Sequence, residues 1–124
     1  MSVRSYRDLL VWQKAMDLVV ESYRLAKMFP KNEAYGLASQ LQRAAVSIPA
    51  NIAEGHGREH LGDYLRYLSI GNGSLMELET HPLIAGRLEY LQPNQVETVL
   101  AQSGELSRIL AGLTKKLRYR DPNT

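Results

Sequence analysis

The sequence predicts an all-α fold, an antiparallel up-down-up-down four-helix bundle. Apolar residues recur at three- and four-residue steps over four long segments, as on bundle helices. No segment shows a strand pattern. The connections between the segments are short, which makes consecutive helices antiparallel neighbours. The 124-residue chain is therefore expected to form one domain, residues 1–124, with a frayed tail over residues 119–124.

The first helix is predicted over Tyr6–Met28 and ends at the Phe29-Pro30 pair. Val11, Leu18 and Leu25 lie off its main apolar stripe, so they would be exposed on an isolated bundle. The stripe itself is taken as the core face of the helix and consists of Leu9, Trp12, Met16, Val19, Tyr23 and Ala26.

The second helix is predicted to start at Asn32, a suitable N-cap, with Glu33 in the first turn, where the helix dipole favours an anion. Gly55 and Gly57 are expected to end it. Pro49 lies in its interior, where proline removes a backbone hydrogen bond and costs roughly 3 kcal/mol. The apolar spacing nevertheless continues through Pro49, which predicts a kinked but continuous helix.

The second helix also lacks an ordinary solvent-facing side, because Arg43 is the only charge between Leu37 and Ile52. Besides its apolar stripe, the helix has one side with small residues and another side with polar residues. This helix is either covered by neighbours within its own domain or buried at a subunit interface. Four helices in a square cannot cover one helix on three sides, which favours the interface. The polar sector consists of Gln40, Arg43, Ser47, Asn51 and Glu54.

The third helix is predicted over Gly62–Tyr90, with Asn72 and Glu79 in phase with its leucine face. A carboxylate on a core face needs a partner or a raised pKa. Arg43 or Asn51 of the second helix is the expected partner of Glu79, and a catalytic carboxylate is the alternative. The leucine face consists of Leu61, Leu65, Leu68, Leu75 and Leu83.

The fourth helix is predicted over Pro93–Arg118, with Pro93 suited to its first position. One apolar face runs along it. Its members are Val96, Val99, Ser103, Leu106, Leu110, Leu113 and Leu117.

No set of residues in the sequence indicates a catalytic or metal-binding chemistry. The chain has no cysteine. A di-metal bundle requires Glu-x-x-His on two helices, and this spacing does not occur. His56, His60 and His81 are expected at the surface. The sequence therefore predicts a protein that is not an enzyme and has no catalytic residue, cofactor or metal.

The N-terminal segment has no signal-peptide apolar region, and no apolar run approaches the ~20 residues that a membrane span requires. A cytoplasmic protein with no membrane contact is expected. The formal net charge of +2 is too balanced to indicate a nucleic-acid ligand by itself.

Charge placement gives one functional lead. The predicted topology puts both termini and the loop between helices 2 and 3 at one end of the bundle. Basic residues gather there beside Tyr6 and Tyr119, which could stack on bases, although five acids lie among them. A ring of subunits would repeat this end. The candidate nucleic-acid-binding residues are Arg4, Arg7, Arg58, Lys115, Lys116, Arg118 and Arg120.

Several segments resemble the bacterial four-helix-bundle proteins encoded within 23S ribosomal-RNA intervening sequences. That family is similar to the accessory variability protein of diversity-generating retroelements. The segment Ser47–Gly55 is the most specific part of the resemblance. The matching segments are LLVWQKAMDL, MFPKNEAYGLASQLQRAAVSIPANIAEGHGR, and GSLMELE followed by RLEYL.

The resemblance implies a four-helix bundle that assembles as a homopentameric ring and has no known catalysis. For the retroelement relatives it implies binding of nucleic acid and of a reverse transcriptase through a basic surface. Pro82 stands where the family usually has a helix-forming residue, so the third helix is expected to kink there. The functional hypothesis is a homo-oligomeric accessory protein that binds RNA or DNA. The alternative is a protein-interaction scaffold without affinity for nucleic acid.

Overall fold

The computed structural model describes residues 5–120, with side chains for residues 5–119. The four α-helices are α1 (Leu10–Ala26), α2 (Leu37–His56), α3 (Leu61–Arg87) and α4 (Pro93–Arg120). Short 3₁₀ turns precede α1 at Tyr6–Asp8 and α2 at Lys31–Glu33. Residues 5–120 contain no β-strand, and the predicted all-α class is confirmed.

The helices form a square in which each packs against two neighbours. Helices α1 and α3 both pack against α2 and α4, and within the described range no Cα atoms of a diagonal pair come within 8 Å of each other. Glu79 on α3 lies beside Ser103 on α4, while Gly86 lies beside Val96, so these two helices run in opposite directions. The predicted up-down-up-down bundle is therefore confirmed.

The core face of α1 differs from the prediction. Val11, Leu18 and Leu25 are buried, whereas Met16 and Tyr23 are 39% and 42% exposed. Both sets of residues have helical spacing, so periodicity alone could not choose between them. The buried set also contains the small residues Ala15 and Ser22, whose size lets α1 approach its neighbours closely. The predicted stripe faces partly outward instead.

The start of α2 also differs from the prediction, because α2 begins at Leu37 rather than beside Asn32. The Glu33 carboxylate accepts hydrogen bonds from the Leu37 backbone N–H at 3.3 Å and from the Tyr90 hydroxyl at 3.0 Å. Glu33 therefore caps α2 from the preceding turn and ties that turn to the α3–α4 connection.

Helix α2 continues through Pro49, as predicted. Leu41, Ala45, Ile48 and Ile52 are fully buried on either side of the proline, so packing compensates for the missing hydrogen bond. Helix α3 likewise continues through Pro82, which is itself buried.

Helix α3 ends at Arg87 rather than at Tyr90. The Tyr90 N–H donates to the Ala85 carbonyl at 2.8 Å, and the Glu89 N–H donates to the Gly86 carbonyl at 3.1 Å. This is a Schellman motif, in which Glu89 takes the left-handed conformation at φ 64°. A glycine at that position would have revealed the helix end in the sequence.

The buried residues of α3 match the prediction only in part, whereas those of α4 match it. Leu68 and Leu75 are buried as expected, but Leu83 is exposed, and Leu78 and Ala85 take its place in the core. The buried positions of α4 follow the predicted face. Tyr119 and Arg120 are helical rather than part of a frayed tail. The rest of that tail, residues 121–124, lies outside the described residues.

His81 was expected at the surface, but it is only 8% exposed, and its Nδ1 has no hydrogen-bond partner within residues 5–120. Burial lowers the pKa of His81 below its ordinary value, and the nearby Glu77 opposes this only in part. The imidazole is therefore mainly neutral in the fold at pH 7.

This burial predicts a pH dependence of stability. The unfolded chain protonates His81 near pH 6.5, before the folded chain does, so the free energy of unfolding should fall as the pH drops below about 6.5. His81→Gln should reduce the slope between about pH 6.5 and 5.5, where most carboxylates do not titrate. Urea unfolding at several pH values measures this slope. An unchanged slope in the variant would show that other groups cause it.

Candidate nucleic-acid interface

A groove of about 570 Å³ opens between α3 and α4, at the end of the bundle where α3 begins and α4 finishes. Apolar side chains form its floor, and polar and cationic side chains line its rim. Leu68 and Leu110 are almost fully buried, whereas Tyr119 is 78% exposed. The lining residues are Leu65, Leu68, Ser69, Asn72, Leu110, Ala111, Thr114, Lys115, Arg118 and Tyr119.

Both walls of this groove lack carboxylates. On α3 no acid occurs between Asp63 and Glu77, and on α4 none occurs between Glu105 and the end of the helix. Lys115, Lys116 and Arg118 consequently form no ion pair with any described residue, and all three are exposed. The groove therefore has a positive rim that nothing in residues 5–119 neutralises.

Arg58 was expected in the same basic cluster, but its guanidinium is engaged elsewhere. It donates to Glu54 Oε1 at 2.8 Å and to the Tyr67 hydroxyl at 2.8 Å. Its Cζ also lies 5.0 Å from the centroid of the Tyr67 ring, and Arg66 approaches the same ring at 4.9 Å. Arg58 therefore ties the end of α2 to α3, and Glu54 balances its charge.

Arg7 lies on another side of the bundle. The 3₁₀ turn that carries it contacts α1 and α2 but, within the described part of the chain, neither α3 nor α4. Tyr6 packs edge-on against Trp12, with ring centroids 5.3 Å apart, and the Arg7 guanidinium lies 5.6 Å from the Tyr6 ring. Tyr6 and Arg7 are therefore not part of the groove.

The expected basic end thus separates into three parts: Arg7 beside α1 and α2, Arg58 between α2 and α3, and the α4 cations Lys115, Lys116 and Arg118. Arg4 lies outside the described residues, and the Arg120 side chain does too. Among the described members of this expected basic end, Lys115 and Arg118 line the groove, and Lys116 is next to Lys115 on α4.

The expected polar residues of α2 have separate roles. Asn51 Nδ2 donates to the Ser47 carbonyl at 2.7 Å and to Ser47 Oγ at 2.9 Å, and Ser47 shares a 2.8 Å hydrogen bond with Ser74 on α3. Arg43 is exposed and has no partner among the described side chains. Asn72 was predicted on the core face of α3, but it is exposed and lines the groove.

Glu79 bonds to neither of its expected partners, Arg43 and Asn51. Its Oε2 accepts a 2.7 Å hydrogen bond from Ser103 Oγ on α4, and Ser103 is fully buried. Glu79 faces α4, whereas the prediction placed it opposite the polar face of α2. The carboxylate satisfies a buried hydroxyl that would otherwise lack a partner.

We expect Glu79→Gln to lower the free energy of unfolding by about 1 kcal/mol, because the amide oxygen still accepts from Ser103 but without the carboxylate charge. Urea unfolding of this variant, of Ser103→Ala and of the double variant gives a double-mutant cycle. The double variant should cost less than the sum of the single changes. Additive costs would mean that the two side chains do not interact.

The sequence did not indicate Ser69 and Thr114 as residues of the groove. Ser69 and Thr114 are unremarkable singly, and only the pairing of α3 with α4 puts them together. The absence of acids from residues 64–76 and 106–120 was visible in the sequence and would have indicated both walls of the groove.

Residues 5–119 contain no group of three or more His, Cys, Asp or Glu side chains placed to hold a metal. Among the described helices, none is both long enough and apolar enough to cross a membrane.

Comparisons with known proteins identify the family. Residues 7–112 match the family described as 23S rRNA-intervening sequence protein. A crystal structure of a protein of unknown function from the S23 ribosomal protein family of Bacteroides thetaiotaomicron VPI-5482 has a similar fold. The TM-score is 0.78 at 27% identity, over 86% of this chain and 99% of that one. No curated protein matches this chain. Because the family match extends over most of its length, the chain belongs to the 23S rRNA-intervening sequence protein family.

Proposed function

We propose that this protein is a non-enzymatic, self-associating helical bundle that binds nucleic acid through the α3–α4 groove. The observation that carries the proposal is the acid-free pair of walls, which leaves Lys115 and Arg118 unpaired at the rim of a concave surface, with the unpaired Lys116 next to Lys115 on α4. Unpaired cations on one surface are the usual basis of phosphate binding. The names of the family and of the similar crystal structure refer to ribosomal RNA and a ribosomal protein, which supports RNA as the first ligand to test.

Self-association is supported by the outward side of α1. Val20 is 57% exposed, and Met16 and Tyr23 continue the same apolar surface along the helix. Such a surface on a small protein is typical of an interface. Together with the resemblance to ring-forming bundles, it supports a homopentamer. A reverse transcriptase is a further partner if the gene lies beside one.

Light scattering tests the assembly. We expect a mass of five times the 14.0 kDa chain at micromolar concentration. Val20→Glu should lower this mass, because a charge would be buried in the interface. Leu88→Glu is the control, because Leu88 is 50% exposed but lies in the α3–α4 connection. A wild-type mass of 14.0 kDa would refute self-association.

Filter binding to RNA and DNA over a salt series tests the ligand. Phosphate contacts release counterions, so the affinity should fall steeply as salt rises. Absence of any affinity at about 50 mM salt would refute nucleic-acid binding. In that case the exposed apolar surface of α1 would favour the second candidate function, a protein-interaction scaffold.

A further inference from the structure

We infer that the α3–α4 groove holds an unpaired nucleotide of a single strand, with the base on the apolar floor and the phosphate at the cationic rim. This inference deepens the proposed function and rests on it. The groove would then distinguish unpaired bases from a continuous duplex.

The shape of the groove favours an unpaired base. Its volume of about 570 Å³ lies within the ~300–1,000 Å³ typical of sites that enclose a small organic group. Duplex phosphates require only cations on an accessible surface, because the bases stay stacked inside the helix. A duplex would leave the concave floor unused, whereas a base turned out of a single strand can enter it.

The apolar groups of the groove suit the flat face of a base, and its polar groups suit the edge of the base. Leu65 and Ala111 give an accessible apolar surface above the buried Leu68 and Leu110. The exposed ring of Tyr119 lies at the margin, where it can stack on a base. Asn72 and Thr114 line the same groove and have no hydrogen-bond partner within the described residues, so their polar groups are available to a base edge.

The charges complete the match with a nucleotide. Lys115 and Arg118 lie three residues apart on α4, which puts them on one side of the helix, and both line the groove. A phosphate beside them would be held by charge while the attached base reaches the floor. An apolar helix from a second copy would match the floor but leave both cations unpaired, so charge complementarity favours the nucleotide.

The test compares two ligands with the same number of phosphates: a single-stranded oligonucleotide and an abasic strand of equal length. Fluorescence anisotropy with the wild-type full chain at about 50 mM salt should show at least about tenfold tighter binding of the strand with bases. Equal affinity for the two strands would overturn the inference while leaving nucleic-acid binding intact. No binding of either strand would overturn both the inference and the proposed function.

A groove-filling variant locates the effect. Ala111→Trp adds bulk inside the groove without removing a charge, so it should lower the affinity for the strand with bases to that for the abasic strand. Ala101→Trp is the matched control, because Ala101 is exposed on the same helix but does not line the groove. Circular dichroism verifies that both variants are folded. If Ala111→Trp misfolds, Ser69→Trp fills the groove from the opposite wall.

The outcomes separate the two possible occupants. Loss of base preference in the groove-filling variant, with preference retained in the control, supports the nucleotide. Retained preference in the folded groove-filling variant overturns the inference. A drop in oligomeric mass in that variant, measured by light scattering, would assign the groove to a second copy of the chain and also overturn it.

Discussion

Replacing Lys115, Lys116 and Arg118 together by alanine is expected to lower the affinity for RNA about 100-fold at about 50 mM salt. These side chains have no carboxylate partner among the described residues, so their positive charge is available to phosphate. On a single strand, each lost phosphate contact should also reduce the dependence of log K on log salt by about 0.7. The slope should therefore become shallower by about 2.

The control removes the same charge elsewhere. Lys27, Lys31 and Arg87 are also exposed and without an ion pair among the described residues, but they lie towards the opposite end of the bundle. Replacing these three by alanine changes the net charge equally and should weaken binding only slightly. If both triple variants lose affinity equally, overall charge rather than the groove governs binding. Circular dichroism should show that both retain their helix content.

The fold could be predicted from the sequence because its signals are long and redundant. Helix α4 illustrates this, since its apolar face persists from Val96 to Leu117 and most of those positions are buried. Pro49 did not mislead the prediction, because the apolar spacing continued on both sides of it. Helix ends were harder to predict. Glu33 caps α2 through a side-chain hydrogen bond, and Glu89 ends α3 in the left-handed conformation, and neither residue type indicates such a role.

The choice of face on α1 could not be made from the sequence. Two apolar stripes share that helix, and only packing against both α2 and α4 decides which one is buried. Met16 and Tyr23 belong to the stripe that the sequence predicts as core, but they are exposed, and the proposed self-association rests on their surface. The burial of His81 could not be predicted either, because its residue type alone indicated a surface position and only the packing of the helices buries it.

The candidate site was predicted in part. Lys115, Lys116 and Arg118 were identified from charge, but the end of the bundle was treated as one surface. The structure separates Arg7 and Arg58 from these three, and it pairs Arg58 with Glu54. A groove is a property of two helices at a particular spacing. One-dimensional charge patterns cannot report that spacing.

The close approach of α2 to α3 near the groove depends on Gly55. The sequence suggested that this glycine ends α2, but α2 continues to His56, and no glycine within residues 5–120 has a positive φ. A Cβ at Gly55 would lie 2.8 Å from Tyr67 Cβ and 3.2 Å from the Tyr64 carbonyl oxygen. Gly55 is therefore required for helix packing rather than for a turn.

Gly55→Ala is expected to lower the free energy of unfolding by about 1–2 kcal/mol. Alanine favours a helix over glycine by about 1 kcal/mol. The clash with Tyr67 Cβ should outweigh that gain, because a change of rotamer does not move a Cβ atom. Gly73→Ala in α3 is the control, because a Cβ there meets nothing within 4 Å and should stabilise the protein by about 0.5–1 kcal/mol. Urea unfolding measures both. Stabilisation by both changes would mean that α2 and α3 separate at little cost, and that the α3 wall of the groove is less firmly positioned than its contacts indicate.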